Sequence, residues 1–119
     1  MVFGFIQRYK NKQKRREKRK RYREFEALSE GPEKTLTLET KNGKISFSNK
    51  DKVVGRFLYI EQHWEYDWIC TAIDYLKSKD LLTDNNSGTL LNVGANIGSV
   101  CVALMRLGLF SHCHSFEPV

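Results

Sequence analysis

Three residues set a frame for chemistry in this chain: Gly94, Gly98 and Glu117. The glycines bracket a loop, Gly94-Ala95-Asn96-Ile97-Gly98, and the carboxylate stands 23 residues after the first of them. Before the loop, Thr89 to Val93 reads as a short apolar strand. After it, Ser99 to Leu107 reads as a compact helix with Val100, Leu104 and Leu107 on one side and Gly108 as its cap. His112 to Phe116 reads as a second strand with Glu117-Pro118 at its end. Strand, glycine loop, helix and strand make a βαβ unit, which implies a parallel sheet. Ligands of such sheets bind outside the carboxyl ends of the strands. Gly94 permits a sharp turn and close approach of a ligand to the backbone, and Gly98 lets the helix begin close to the strand. The first free N–H groups of that helix favour a carboxylate or phosphate. A carboxylate at position 117 can accept hydrogen bonds from both hydroxyls of a ribose. This is the spacing of a nucleoside site.

The loop lacks the G-x-G-x-x-G of dinucleotide sites, because Asn96 carries a side chain where a pyrophosphate needs backbone approach. A nucleoside without a pyrophosphate is easier to accommodate, and S-adenosylmethionine is one. Its carboxylate can face the helix N-terminus while its ribose reaches Glu117.

The run Leu90 to Val100, LLNVGANIGSV, together with Ser115 to Pro118, SFEP, closely resembles the FkbM family of S-adenosylmethionine-dependent methyltransferases. That family commonly shows D-x-G-A-N-x-G at the loop and F-E-P at the end of the second strand. A hairpin and a Trp-Glu pair ahead of the loop, here Trp64-Glu65, are also familiar from it. The resemblance covers roughly residues 36 to 119. It implies that Asn92, Gly94, Ala95, Asn96, Ile97, Gly98 and Phe116 line the cofactor and that Glu117 holds its ribose. It further implies methyl transfer to an oxygen, on a sugar or secondary-metabolite hydroxyl, so that the partner is a small-molecule or glycan acceptor. Asn92 stands where the family usually has an acid that helps hold the cofactor's ammonium group; an amide can accept a hydrogen bond there but brings no charge. A hydroxyl nucleophile can also need a general base, and no residue of the chain is assigned that role. The expectation is a cofactor loop without an acceptor site, inactive in isolation. The rival readings are a non-catalytic remnant and a membrane- or RNA-binding module.

Other chemistry-bearing types are weaker signals. His112 and His114 share one face of a strand while Cys113 points away, and structural zinc needs four converging ligands, so no metal site is expected. Cys70, Cys101 and Cys113 are an odd count without an export signal, read as free thiols in a reducing, cytoplasmic setting. Trp64 and Trp68, one helical turn apart, are expected in the core, and Glu65 is expected as a solvated acid at a helix start.

The elements that must position the loop come earlier in the chain. Thr35 to Thr40 alternates and Lys44 to Ser48 returns with Ile45 and Phe47 on one face, with Asn42-Gly43 offered as a type I′ turn between them. Val53 to Ile60 is a largely apolar segment, expected to be extended. Spacings of three and four from Trp64 to Leu76 predict an amphipathic helix over about 64–79. The fold class expected is α/β: an incomplete Rossmann-like methyltransferase fold, preceded by a hairpin and a basic arm, cut off in the middle of a larger domain.

Two parts follow, residues 1–31 as the arm and 32–119 as the start of the methyltransferase domain. The chain has 119 residues and a formal charge of +6, unevenly placed. Residues 1–23 hold 11 of the 20 Lys and Arg and one acid, Glu17, whereas residues 24–119 carry a net −4. Residues 8–24 contain neither Gly nor Pro and can be helical once their charges are neutralised; alone in water, self-repulsion frays them. Three readings stand for the arm: a solvated leader, a peripheral contact of residues 1–23 with an anionic membrane through Val2, Phe3, Phe5, Ile6 and the basic run, or a nucleic-acid contact.

Overall fold

The computed structural model describes residues 2–118, and for residues 2, 3 and 5 the backbone only. The apolar contact expected of the Val2, Phe3 and Phe5 side chains therefore lies outside what it describes. The order is α1 (Val2–Glu30), β1 (Thr35–Thr40), β2 (Gly43–Ser48), α2 (Val54–Glu61), α3 (Tyr66–Ser78), β3 (Thr89–Val93), α4 (Ser99–Arg106) and β4 (His112–Phe116). It is a mixed α/β architecture with two short sheets, the antiparallel hairpin β1–β2 and the parallel pair β3–β4. Helix α4 touches β2, β3 and β4, and so lies between the hairpin and the parallel pair. No helix among the described residues is long and apolar enough to cross a membrane.

The core forms where helix and strand periodicities meet. On β2, Ile45 and Phe47 are buried while Lys44 and Ser46 are exposed, the alternation of a sheet with one covered face. Phe25, Val54 and Leu58 complete the cluster with them, and Phe25 and Leu58 are 0% exposed. Burying each of those two contributes about 1.5–3 kcal/mol. Phe25 belongs to α1, so the last turns of the basic helix enter the core, where Phe25 meets the Tyr59 ring at a centroid separation of 5.5 Å and a tilt of 53°. Helix α1 runs on to Glu30, beyond the basic stretch, and is tied to α2 by Lys18 to Glu61 and by Arg21, whose guanidinium donates to the Ile60 carbonyl at 3.3 Å.

Three expectations fail for local reasons. The run expected to be extended is helix α2. The Asp51 side chain accepts from the Val53 N–H at 2.9 Å and the Asp51 carbonyl from the Arg56 N–H at 2.9 Å, which starts the turn. Val54 and Leu58, four apart, then bury one stripe while Val53 stays 70% exposed. A short, largely apolar segment does not distinguish strand from buried helix, and a length of eight suits both. The α2 backbone also comes so close to β2 that a Cβ on Gly55 would sit 2.7 Å from Phe47 Cδ2. The hairpin loop is Lys41-Asn42 and not Asn42-Gly43: Thr40 pairs with Gly43, and of the offered turn residues only Gly43 has positive φ, at 127°. Trp68, expected in the core, is 79% exposed on the outer side of α3.

Two asparagines fix the hairpin at its two ends, and both are 0% exposed. Asn42 Oδ1 accepts from the Trp64 N–H at 2.8 Å, and its Nδ2 donates to the carbonyls of Trp64 at 2.8 Å and Ser99 at 3.2 Å. Asn49 Oδ1 accepts from the Lys34 N–H at 2.8 Å, and its Nδ2 donates to the Leu28 and Pro32 carbonyls. Lys50 Nζ donates to the Ser29 and Gly31 carbonyls at 2.7 and 2.6 Å. Asn49 and Lys50 thus satisfy two of the carbonyls that α1 leaves open at its C-terminus, those of Leu28 and Ser29.

Candidate functional site

The parallel pair carries the site. In register, Val93 lies beside Phe116 and Asn92 beside Ser115, so the loop and the acid leave the sheet side by side at the carboxyl ends of the strands. The Phe116 carbonyl accepts from the Gly94 N–H at 2.8 Å and the Ala95 N–H at 3.0 Å. The Ala95 carbonyl accepts from the Gly98 N–H at 2.8 Å, closing the loop into one turn. Such a turn needs left-handed backbone, and it is found at Gly94 (φ 75°), Asn96 (φ 50°) and Gly98 (φ 81°). These are the residue types that adopt it at least cost. The Gly98 carbonyl then accepts from the Val102 N–H at 2.9 Å, which begins α4.

Glu117 is drawn onto this turn. Its Oε2 accepts from the Asn96 N–H at 2.6 Å, a charge-assisted bond across 21 positions of sequence. The carboxylate is exposed, and its other oxygen faces no partner among the described residues. A carboxylate has about four acceptor positions, so holding the loop leaves room for ligand hydroxyls. Loop and acid thus face one another and stand open to solvent.

The remaining expected residues divide between the ligand side and the core. Ala95 is buried, and the Ile97 side chain packs against the hydrophobic cluster together with Val102, so Ile97 supports the loop from behind. Phe116 is 56% exposed and contributes its carbonyl to the turn. Asn92 lies on the α4 side of β3, and its buried Nδ2 has no hydrogen-bond partner. An orphaned buried donor costs about 1–3 kcal/mol, and it would be relieved by an acceptor on a ligand or water.

Behind the loop, Cys101 Sγ of α4 and Cys113 Sγ of β4 are 2.7 Å apart, and Ser115 Oγ lies 3.5 Å from Cys113 Sγ. Burial, and next the contact with Cys113, pushes the Cys101 thiol above its ordinary value. Cys70 lies on α3, half-buried and free. Among the described residues, no group of three or more His, Cys, Asp or Glu is placed to hold a metal ion.

Sequence reasoning passed over Asn42, whose bond to the Ser99 carbonyl ties the hairpin to the first residue of α4, directly after the loop. The only signal was an Asn beside a Gly, which reads equally well as an exposed turn. It also passed over a hollow of about 330 Å3 lined by Phe57, His63, Trp64, Glu65, Asp67 and Trp68. Glu65 there has left-handed backbone, φ 53°, and precedes α3 without a capping hydrogen bond. None of the hollow's lining residues belongs to the Gly94–Gly98 loop. Compared with protein-family models, with curated proteins and with solved structures, the chain finds no match.

Proposed function

We propose that the chain binds S-adenosylmethionine at the Gly94–Gly98 loop and Glu117, as the cofactor half of a Rossmann-like methyltransferase of FkbM type that methylates a hydroxyl of a sugar or secondary metabolite. The observation that carries this reading is the 2.6 Å bond from the Asn96 N–H to Glu117 Oε2. It puts a carboxylate beside a glycine turn at the carboxyl end of a parallel strand, where such sheets bind nucleosides. In this reading Glu117 holds the ribose with the oxygen left free. The N-terminus of α4 faces the carboxylate of the methionyl group. The Asn92 amide takes up a polar group of the same moiety, satisfying its orphaned donor.

The chemistry is displacement at a methyl already activated by the positive sulfur, so alignment of nucleophile, carbon and sulfur supplies much of the rate. This chain's residues bind and orient the cofactor. The isolated chain is accordingly expected to bind it without transferring its methyl group.

Calorimetric titration with S-adenosylmethionine and S-adenosylhomocysteine tests the reading. Binding of both is expected, weakened about 10- to 100-fold by Glu117→Gln, the loss of a hydrogen bond to a charged group. A folded chain that takes up neither, or a Glu117→Gln variant that binds as well as the parent, overturns it. Transfer of labelled methyl groups by the chain alone would overturn the division of labour while leaving the site intact.

A further inference from the structure

Of the eleven cationic side chains of α1, Lys10, Lys14, Lys18 and Arg21 lie off the outer face, Lys10 and Lys14 without an ion pair among the described residues. Lys18 and Arg21 face α2, bound to Glu61 and to the Ile60 carbonyl. Glu17 turns to Arg21 at 3.0 Å. On a helix, residues spaced by three, four and seven share a face. Arg8, Lys12, Arg15, Arg16, Arg19 and Arg23 therefore form a single line, and all six are exposed. None of the six makes an ion pair among the described residues; beside them Lys20 meets Glu24 at 3.8 Å. Two clefts open along this face. One, of about 370 Å3, is lined by Arg8, Asn11, Lys12 and Arg15. The other, of about 350 Å3, is lined by Arg16, Arg19, Lys20, Arg23 and Glu24.

We infer that this face of α1 binds the phosphodiester backbone of a nucleic acid without reading base sequence. Six unpaired cations at helical spacing repel one another, and a polyanion relieves that repulsion while releasing its own counterions. The spacing suits a strand of phosphates. At ~1.5 Å per residue the line from Arg8 to Arg23 spans ~22 Å with ~4.5 Å between successive cations, the axial length of about six to seven phosphate steps of ~3.4 Å along one strand of a duplex. Tyr9 and Tyr22, 57% and 47% exposed, border the line and can stack on bases. An anionic lipid surface is the poorer fit. An interfacial helix buries a broad apolar face along its length, whereas the large apolar residues Val2, Phe3, Phe5 and Ile6 all precede the line, and from Arg8 to Arg23 the only large apolar side chains are these two tyrosines. The inference is independent of the proposed cofactor site.

Fluorescence anisotropy of the whole chain against a labelled random-sequence 20-mer tests it, as duplex DNA and as single-stranded RNA, at 50 to 200 mM salt. Six phosphate contacts predict a log–log salt slope of about −5 on duplex, about a thousandfold loss of affinity over that range. Arg15→Gln/Arg16→Gln/Arg19→Gln should bring the slope to about −3 and the loss to about fortyfold. Arg8→Gln/Lys12→Gln, farther from the body, should independently lower the slope by about 2. Circular dichroism confirms that each variant keeps the helix, and Lys44→Gln/Lys52→Gln, away from the line, should change nothing. On the single-stranded RNA the same six contacts predict a slope of about −4, and tighter binding to the RNA than to the duplex at matched salt would assign the contact to single strands, within the inference. Absence of binding to either nucleic acid, binding that the α1 variants leave unchanged, or uptake by phosphatidylserine vesicles but not by nucleic acid would overturn it.

Discussion

Replacing Asn42 by Ala is expected to cost about 3–4 kcal/mol of stability, although the position is polar and lies in a hairpin loop. The side chain is 0% exposed and makes three hydrogen bonds, to the Trp64 N–H, the Trp64 carbonyl and the Ser99 carbonyl. Each contributes about 1 kcal/mol net, and removing the acceptor strands the Trp64 N–H in the interior at a further cost of about 1 kcal/mol or more. Against a total stability of roughly 5–15 kcal/mol for a domain, that is a large share. Urea unfolding followed by tryptophan fluorescence measures it, with the midpoint falling and the slope unchanged. Asn42→Asp separates hydrogen bonding from shape. It keeps the acceptor but aims a carboxylate oxygen at two carbonyls, so at neutral pH it should cost at least as much as Ala. The buried carboxyl would titrate above its unfolded value, so the variant should recover stability as pH falls through that raised value. A cost below about 1 kcal/mol for Asn42→Ala, with an unchanged slope, would show that these three bonds contribute little beyond what water supplies, and would refute the reasoning.

Other consequences can be checked with the same measurements. Gly55→Ala places a methyl 2.7 Å from Phe47 Cδ2 and should destabilise by about 1–3 kcal/mol, despite alanine's higher helix propensity. Asn96, at φ 50°, should accept Gly with little change, whereas Asn96→Val should lose about 1–2 kcal/mol to backbone strain. Burial, with a further push from the Glu24 charge, raises the Tyr59 hydroxyl, and burial raises the Cys101 thiol. A raised folded value means the associated stability is full below the unfolded value and is lost as pH rises through the folded one. The melting temperature should therefore fall above about pH 9–10, and Tyr59→Phe or Cys101→Ala should each flatten part of that fall.

The hairpin and the βαβ unit were legible because their signals are local. Alternation in Thr35 to Ser48 marks a half-covered sheet, and an apolar strand meeting Gly-x-Asn-x-Gly can do little but turn. The contact between Glu117 and the loop was also foreseeable, since parallel pairing brings positions 93 and 116 together. What escaped depends on tertiary partners. Val53 to Ile60 has the composition of a strand and becomes a helix because Asp51 starts the turn and β2 receives Val54 and Leu58. Asn42 and Asn49 look like loop residues and are the most enclosed polar side chains among the described residues, since only distant carbonyls determine their burial. Trp68 has helical spacing with Trp64 but projects from α3 on the side that nothing covers among the described residues.

The enclosure of Asn42 also bears on how the chain ages. An asparagine followed by glycine readily deamidates: the next backbone nitrogen attacks the side-chain carbonyl, closes a succinimide and expels ammonia. In the fold, the Asn42 amide is held by Trp64 and Ser99 and shielded from water, which opposes that ring closure. An unfolded chain has no such protection, and the aspartate or isoaspartate that forms would return a negative charge to a space shaped for an amide. Each passage through the unfolded state thus risks a covalent lesion at the hairpin, a ratchet by which brief excursions accumulate as permanent loss.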